Sequence, residues 1–308
     1  MMWRALLGVA AAFASSSMSS LGVSLQALEA AASRRELALR ASLLAALARR
    51  RRWLAGAATN LAAWPLQALA LILAPLTLVR PSLAAGLVVL VAINSRRRGT
   101  GIDRAERIGL AAIVAGVGVL AVTAPARTAL HAPPSRLAVT MGALALLTLA
   151  PYPLRALGRP HGAVLVASAG LGAACSGLAT KLAADDLMLG EWPGMTLWLG
   201  VGALVATVGL LSEMTALQGR PPTQVVPAIF ILQMIVPVAL APLLAGEDWA
   251  STPAGGLPLV LAIALVTGGV VTLARRPAIA GAAVGAAPRS ALAEEAPIQE
   301  PPEDATGV

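Results

Sequence analysis

Long apolar segments recur through the whole sequence, and most are close to the length that crosses a lipid bilayer. A membrane-spanning helix needs about 20 mostly apolar residues, because the hydrocarbon core is about 30 Å thick. Backbone polar groups find no water in lipid, so apolar segments of this length become helices. The chain is 57% hydrophobic and 12% charged, more apolar than an ordinary soluble domain. The sequence therefore predicts an all-α polytopic membrane protein.

Nine transmembrane helices are predicted, and a count of ten also fits the sequence. The nine spans cover 5–28, 53–73, 76–94, 107–124, 137–153, 161–181, 194–215, 222–244 and 257–274. They form a transmembrane domain over residues 1–276, with a first half at 1–124 and a second half at 137–276. Residues 277–308 are rich in proline and acidic side chains and lack apolar periodicity, which predicts a disordered cytoplasmic tail.

Basic residues are distributed unevenly between the predicted loops. Segment 33–52 holds seven arginines around a stretch too short to span, which predicts a cytoplasmic interfacial helix. With that segment inside, the cytoplasmic loops hold 18 basic residues and the outer side holds five. Cytoplasmic loops are enriched in Lys and Arg, so this split predicts a plasma-membrane protein with its N-terminus outside and its C-terminus inside. The five outer residues are Arg4, Arg80, Arg127, Arg136 and Lys181.

The net charge of +8 is compatible with two kinds of partner, nucleic acid and anionic lipid. The arginines lie in short clusters between apolar segments, where they would meet lipid headgroups. The expected partners are therefore the lipid bilayer and a small-molecule or ion substrate, and no nucleic acid. A homodimer is compatible with the sequence.

A short motif occurs twice, at residues 70–81 and 216–227, with a constant offset of 146 residues and six identities. The shared pattern Pro-x-Thr-x-Val-x-Pro is unusual in an apolar segment, and it predicts an internal duplication. The first copy joins spans two and three, and the second joins spans seven and eight. With nine spans these junctions fall on opposite sides of the membrane, so the two halves are predicted to be inverted repeats, as in many transporters.

The motif chemistry predicts broken helix ends. Pro75 and Pro221 lack a backbone donor and restrict the preceding residue, so each should end one helix or open the next. Thr77 and Thr223 could cap the exposed amides of the new helix. Such ends help to form substrate sites in inverted-repeat transporters. The alternative is a tight helical hairpin at the membrane surface.

Residues 74–81, together with Leu66–Ala70, resemble the second and third helices of the drug/metabolite transporter superfamily. The similarity is to its NIPA-type magnesium transporter branch and to related EamA-like bacterial proteins. Segments Ser176–Lys181, Thr223–Pro227 and Gly246–Trp249 resemble later segments of that family. The resemblance implies nine or ten helices in two inverted halves around a central site with alternating access.

One departure from the NIPA pattern concerns the substrate. That family places a glutamate and an asparagine in helix two, where this chain has Trp64 and Gln67. Mg²⁺ prefers oxygen ligands such as carboxylates in octahedral geometry, and no acidic residue lies near the middle of a predicted span. The acidic residues are placed near helix ends (Glu29, Glu213) or in outer loops (Asp185, Asp186, Glu191, Glu247, Asp248). A metabolite or drug-like substrate and a Mg²⁺ or other divalent cation substrate both remain open.

Polar and proline residues within or beside the spans are the candidate substrate-binding residues. Amides inside a membrane are costly to leave unpaired, so they bind substrate or tie helices together. Glu213 is the candidate carboxylate for proton coupling or cation binding, with a surface helix end as the alternative. Lys181 is a candidate through the family resemblance, and is otherwise a lysine reaching the membrane surface. The substrate-binding candidates are Trp64, Gln67, Thr77, Pro81, Gln218, Thr223, Pro227 and Gln233.

These features together predict a secondary transporter that works by alternating access. Its central cavity is predicted to lie between spans one, two, three, six, seven and eight. No motif typical of an enzyme or of ATP binding is found, so no enzyme, cofactor or metal site is expected. A membrane scaffold subunit without transport is the further alternative.

Overall fold

The computed structural model describes residues 2–33, 35–84, 103–128, 132–157, 162–220 and 222–274. In these residues the chain is helical and contains no β-strand. The helices are α1 Met2–Ala31, α2 Ala41–Leu47, α3 Arg51–Leu73, α4 Leu76–Leu83, α5 Arg104–Thr123, α6 Pro134–Thr148, α7 Pro151–Ala156, α8 Gly162–Leu189, α9 Trp192–Gly219, α10 Pro222–Leu244 and α11 Leu257–Ala274, with 3₁₀ turns at Arg35–Leu37 and Pro253–Gly256.

Eight helical stretches of the described chain are long and apolar enough to cross a membrane. They correspond to every predicted span except the third, of which only the first part, α4, lies within the described residues. The structure is thus consistent with an all-α, multi-pass membrane protein. The predicted tail at 277–308 lies outside the described residues.

The helical bundle exposes large apolar side chains, as a chain solvated by lipid does. Leu61, Val139 and Leu146 are each 72% exposed, and Val122 is 83% exposed. In water such a surface would drive association, whereas lipid tails solvate it at no cost.

Close helix pairs organise the interior. Helix α8 packs most extensively on α9, α1 on α3, and α5 on α11. The α1–α3 contact is close enough that a Cβ added to Gly56 would lie 2.5 Å from the carbonyl oxygen of Gly22. Ser15 donates a hydrogen bond to the carbonyl of Ala63 at 2.8 Å across the same pair. Glycine and serine at such crossings are typical of helix packing in membranes.

Both copies of the repeated motif lie at junctions between helices. In the first copy, Pro75 is extended and α4 begins directly after it. In the second copy, α9 ends at Gly219 and α10 begins at Pro222. The broken helices expected from the prolines are therefore present at both positions.

The Arg-rich segment 33–52 contains a 3₁₀ turn and the seven-residue helix α2. Leu43 and Leu47 of α2 are fully buried. The Arg50 guanidinium pairs with the Glu29 carboxylate at 2.7 Å, and this pair joins the start of α3 to the end of α1. The segment is a folded connection between two long helices, and its helix is short.

Candidate functional site

A cavity of about 630 Å³ lies between six helices, which is within the usual size range of small-molecule sites. The helices are α1, α3, α4, α8, α9 and α10, the described parts of predicted spans one, two, three, six, seven and eight. Its polar and aromatic lining consists of Ser19, Gln26, Asn60, Trp64, Gln67, Arg80, Ser176, Thr180, Trp198, Glu213 and Gln233.

Four of the candidates predicted from the sequence line this cavity: Trp64, Gln67, Glu213 and Gln233. The Trp64 indole donates a hydrogen bond to the Thr180 hydroxyl at 3.3 Å, which fixes one wall. Gln67 and Gln233 make no hydrogen bond to any described residue, so the structure does not show the interhelical tie considered as their alternative role. Both amides face the cavity with unused hydrogen-bonding capacity.

Glu213 differs from its predicted place at a helix end. It lies within α9, six residues before Gly219, and it lines the cavity. No described cation forms an ion pair with it. Glu213 therefore lines the cavity without a counter-ion among the described residues.

The other candidates do not belong to the cavity lining. Lys181, Thr77 and Gln218 are buried elsewhere in the bundle. Pro81 lies inside α4 and Pro227 inside α10, where they shape the backbone. The side chain of Thr223 lies outside what the structure describes.

Thr77 does not cap α4, contrary to the sequence-based expectation. The Glu247 carboxylate takes that role, accepting hydrogen bonds from the backbone amides of Leu76 at 2.5 Å and Thr77 at 3.2 Å. The Thr77 hydroxyl also donates to Glu247, at 2.5 Å. Placing Glu247 simply in an outer loop was therefore incomplete: the residue follows α10, but its side chain is only 2% exposed.

Burial raises the pKa of Glu247 above its ordinary value of 4.5, while the hydrogen bonds from Thr77 and Leu76 oppose that rise. The carboxyl group sits at a helix N-terminus, where negative charge is favoured. It joins the chain after α10 to the start of α4.

Lys181 and Asp185 form a buried ion pair one helical turn apart on α8. The Arg127 guanidinium binds the same carboxylate at 2.5 Å and donates to the carbonyl of Leu71 at 2.9 Å. Lys181 also donates to the carbonyl of Thr128 at 3.0 Å. The placement of Asp185 and Asp186 in an outer loop was wrong, because both lie in α8 and are buried. Lys181 is correspondingly a buried lysine paired with Asp185.

These two clusters lie at one end of the bundle, and we call them together the polar seal (Leu76, Thr77, Arg127, Thr128, Lys181, Asp185 and Glu247). They sit at the start of α4, after the end of α5, late in α8 and just after α10. The cavity lining extends toward the opposite end of the bundle, to Gln26 near the end of α1 and Glu213 late in α9. The cavity therefore extends from the middle of the bundle toward the end that carries the Arg-rich segment.

Arg80 is the cavity residue that sequence reasoning misplaced. It was counted among the basic residues of the outer side, at the beginning of the predicted span 76–94, but it is 3% exposed inside α4 and lines the cavity. A Cβ added to Gly177 of α8 would lie 1.2 Å from Nη2 of Arg80, so the guanidinium occupies the space that this glycine leaves. The sequence signal that could have placed Arg80 inside the bundle was its position as the fifth residue of a helix that follows a proline.

Six further polar or aromatic residues of the cavity lining were not among the candidates: Ser19, Gln26, Asn60, Ser176, Thr180 and Trp198. The Asn60 amide donates to the Gln26 side-chain oxygen at 2.9 Å, which ties α3 to α1. Trp198 of α9 adds a second indole to the lining. Asn60 and Trp198 are each a single polar or aromatic residue in an apolar run, a pattern that also occurs on lipid-facing surfaces.

No protein-family model, no curated protein and no solved structure matches this chain significantly.

Proposed function

We propose that this protein is a secondary transporter that moves a small solute across the plasma membrane by alternating access. The observation that carries the proposal is the cavity between six helices, drawn from both halves of the chain and closed at one end by the polar seal. Intramembrane polar side chains are costly and mark substrate pathways. Opening the seal and closing the opposite end would expose the same cavity to the other side.

An inverted relation between the halves is supported by one contact. Glu247 follows the C-terminal end of α10, yet it binds the first residues of α4. The first motif copy thus lies at the opposite end of α10 from the second copy, which begins that helix. Opposite ends are where inverted repeats place equivalent junctions.

The divalent cation alternative is weakened by the charge of the cavity. Arg80 carries a fixed positive charge into it, and like charges repel strongly away from water. Among the described residues there is no group of three or more His, Cys, Asp or Glu side chains that could hold a metal ion. A small organic solute therefore fits this lining better than Mg²⁺.

Sidedness is tested by thiol labelling in intact cells on a Cys175→Ser background, which removes the single cysteine of the sequence. Ser251→Cys probes the exposed loop near the seal, and Arg49→Cys probes the exposed Arg-rich end. The proposed orientation requires a membrane-impermeant reagent to label the first from outside and the second only after permeabilisation. Labelling of both from the same side would refute the topology.

Transport itself is tested in proteoliposomes by counterflow of a panel of labelled amino acids, organic acids, sugars and phosphate esters. At least one should show saturable uptake that empty liposomes lack. Gln67→Ala and Gln233→Ala should then lower uptake by about tenfold, the effect of one lost hydrogen bond to substrate, with little change in melting temperature. Equal losses of folding and uptake would make both residues packing residues, and no uptake of any class would refute transport.

A further inference from the structure

We propose that Arg80 is the binding group for an oxyanion, so that the cavity accepts a small solute carrying a carboxylate or phosphate group. The inference deepens the proposed transport function by naming the chemical class of the cargo. The inference depends on the proposed transport function only for the claim that the bound solute is moved across the membrane, because oxyanion binding can be measured without transport.

The Arg80 guanidinium is buried within the bundle. Among the described residues, its Nε and Nη2 have no hydrogen-bond partner. An arginine side chain stays protonated and presents five N–H donors. A buried charge without a counter-ion is destabilising in proteins, so its presence at a cavity points to a ligand that supplies the missing partner.

The chain offers almost no candidate for an internal counter-ion. Glu213 lines the same cavity but forms no ion pair with Arg80 in the described part of the chain. Asp185 is bound to Lys181 and Arg127, and Glu247 to the start of α4. Elsewhere in the sequence, beyond the described residues, acidic side chains occur only in the tail 277–308.

The position of the guanidinium is set by packing. Gly177 leaves room for it on the adjoining helix, and any larger residue there would displace it. Arg80 also belongs to α4, whose first amides are held by Glu247. The planar fork of a fixed arginine matches the two oxygens of a carboxylate or phosphate.

The rest of the lining suits an organic anion of modest size. Gln67 and Gln233 offer amides, Ser176 a hydroxyl, and two indoles offer apolar faces. Glu213 would additionally meet a cationic group on a solute that carries both charges, such as an amino acid.

Binding is tested on the full-length protein in uncharged detergent. The probes are inorganic phosphate and succinate, with succinamide and 1,4-diaminobutane as neutral and cationic controls. The readouts are melting temperature and tryptophan emission, since Trp64 and Trp198 line the cavity. At least one oxyanion should raise the melting temperature and change the emission saturably, whereas the two controls should not.

Variants separate binding from folding. Arg80→Gln should weaken oxyanion binding by about tenfold or more, and without ligand it should be at least as stable as the wild type, because it removes an unpaired charge. Gly177→Ala keeps the charge but displaces it, and should also weaken binding. Arg136→Gln, at an exposed arginine of α6, is the matched control and should bind as the wild type does.

The same assay distinguishes a free solute from two other sources of the oxyanion, a lipid headgroup and the acidic tail of the chain itself. Stabilisation by phosphatidylglycerol over phosphatidylcholine that depends on Arg80, without an effect of phosphate or succinate, would support the oxyanion site and assign its occupant to a lipid headgroup. Binding that appears only after the five tail acids are changed to amides would overturn the proposal, because the tail would then be the counter-ion. Equal oxyanion binding by wild type and Arg80→Gln, or none by either, would overturn it as well.

Discussion

Glu247→Ala probes the contact that joins the two ends of the proposed repeat. The substitution removes the acceptor of two backbone amides and one hydroxyl, all buried at the start of α4. Losing a helix N-cap costs about 0.5–2 kcal/mol, and hydrogen bonds to charged groups contribute about 1.5–3 kcal/mol. Removing the carboxylate also removes the free-energy cost of burying it, which offsets part of this loss, so we expect a net destabilisation of about 3 kcal/mol.

The assay is thermal unfolding in detergent followed by tryptophan fluorescence. In domains of 150–250 residues each kcal/mol shifts the melting temperature by about 2–4 °C, so a fall of about 6 °C or more is expected. Glu191→Ala is the matched control, because Glu191 is exposed at the start of α9 and makes no side-chain cap hydrogen bond. An acidic side chain at this position stabilises the fold through the helix dipole alone, by about 0.3–1 kcal/mol.

Thr77→Val completes a double-mutant cycle. If the Thr77 hydroxyl acts through Glu247, Thr77→Val should cost about 1 kcal/mol in the wild type and much less in Glu247→Ala. Equal melting temperatures for Glu247→Ala and Glu191→Ala would refute the capping role. Additive effects of the Thr77 and Glu247 substitutions would refute the link between them.

Three further predictions concern stability. Asp185→Asn leaves Lys181 and Arg127 buried without their carboxylate and should cost about 3–5 kcal/mol, which adding Lys181→Met should partly restore; a melting temperature like that of Glu191→Gln would contradict this. Because burial raises the pKa of Glu247 in the folded state, the stability that its protonation contributes is fully present below pH 4.5 and is lost as pH rises through the folded pKa. The melting temperature of the wild type should therefore fall relative to that of Glu247→Gln as pH rises above 4.5. A difference that stays constant with pH would be evidence against the raised pKa. Gly56→Val should cost about 1–3 kcal/mol by overpacking the α1–α3 crossing, while Gly118→Val, which meets nothing within 4 Å, should leave the melting temperature unchanged.

Much of the fold was predictable from sequence because helix formation in lipid is decided locally. Eight of the nine predicted spans correspond to described helices, since twenty apolar residues in succession suffice to specify such a helix. The prolines of the repeated motif likewise placed two helix junctions, because a missing backbone donor acts on its own turn. The six helices around the cavity are also the six expected from the sequence.

The pairing of charges was decided by the tertiary structure. The sequence analysis counted Arg80 on the outer side and put Asp185 in an outer loop, whereas packing brings Arg80 beside Gly177 and Asp185 beside Arg127. Glu247 and Thr77 are separated by 170 residues in the chain, and no local pattern indicates that one caps the helix of the other. Hydropathy records how each residue partitions between water and lipid, and so it determined where the chain crosses the membrane. Which charge meets which partner depends on how the helices pack, and only the three-dimensional arrangement decides that.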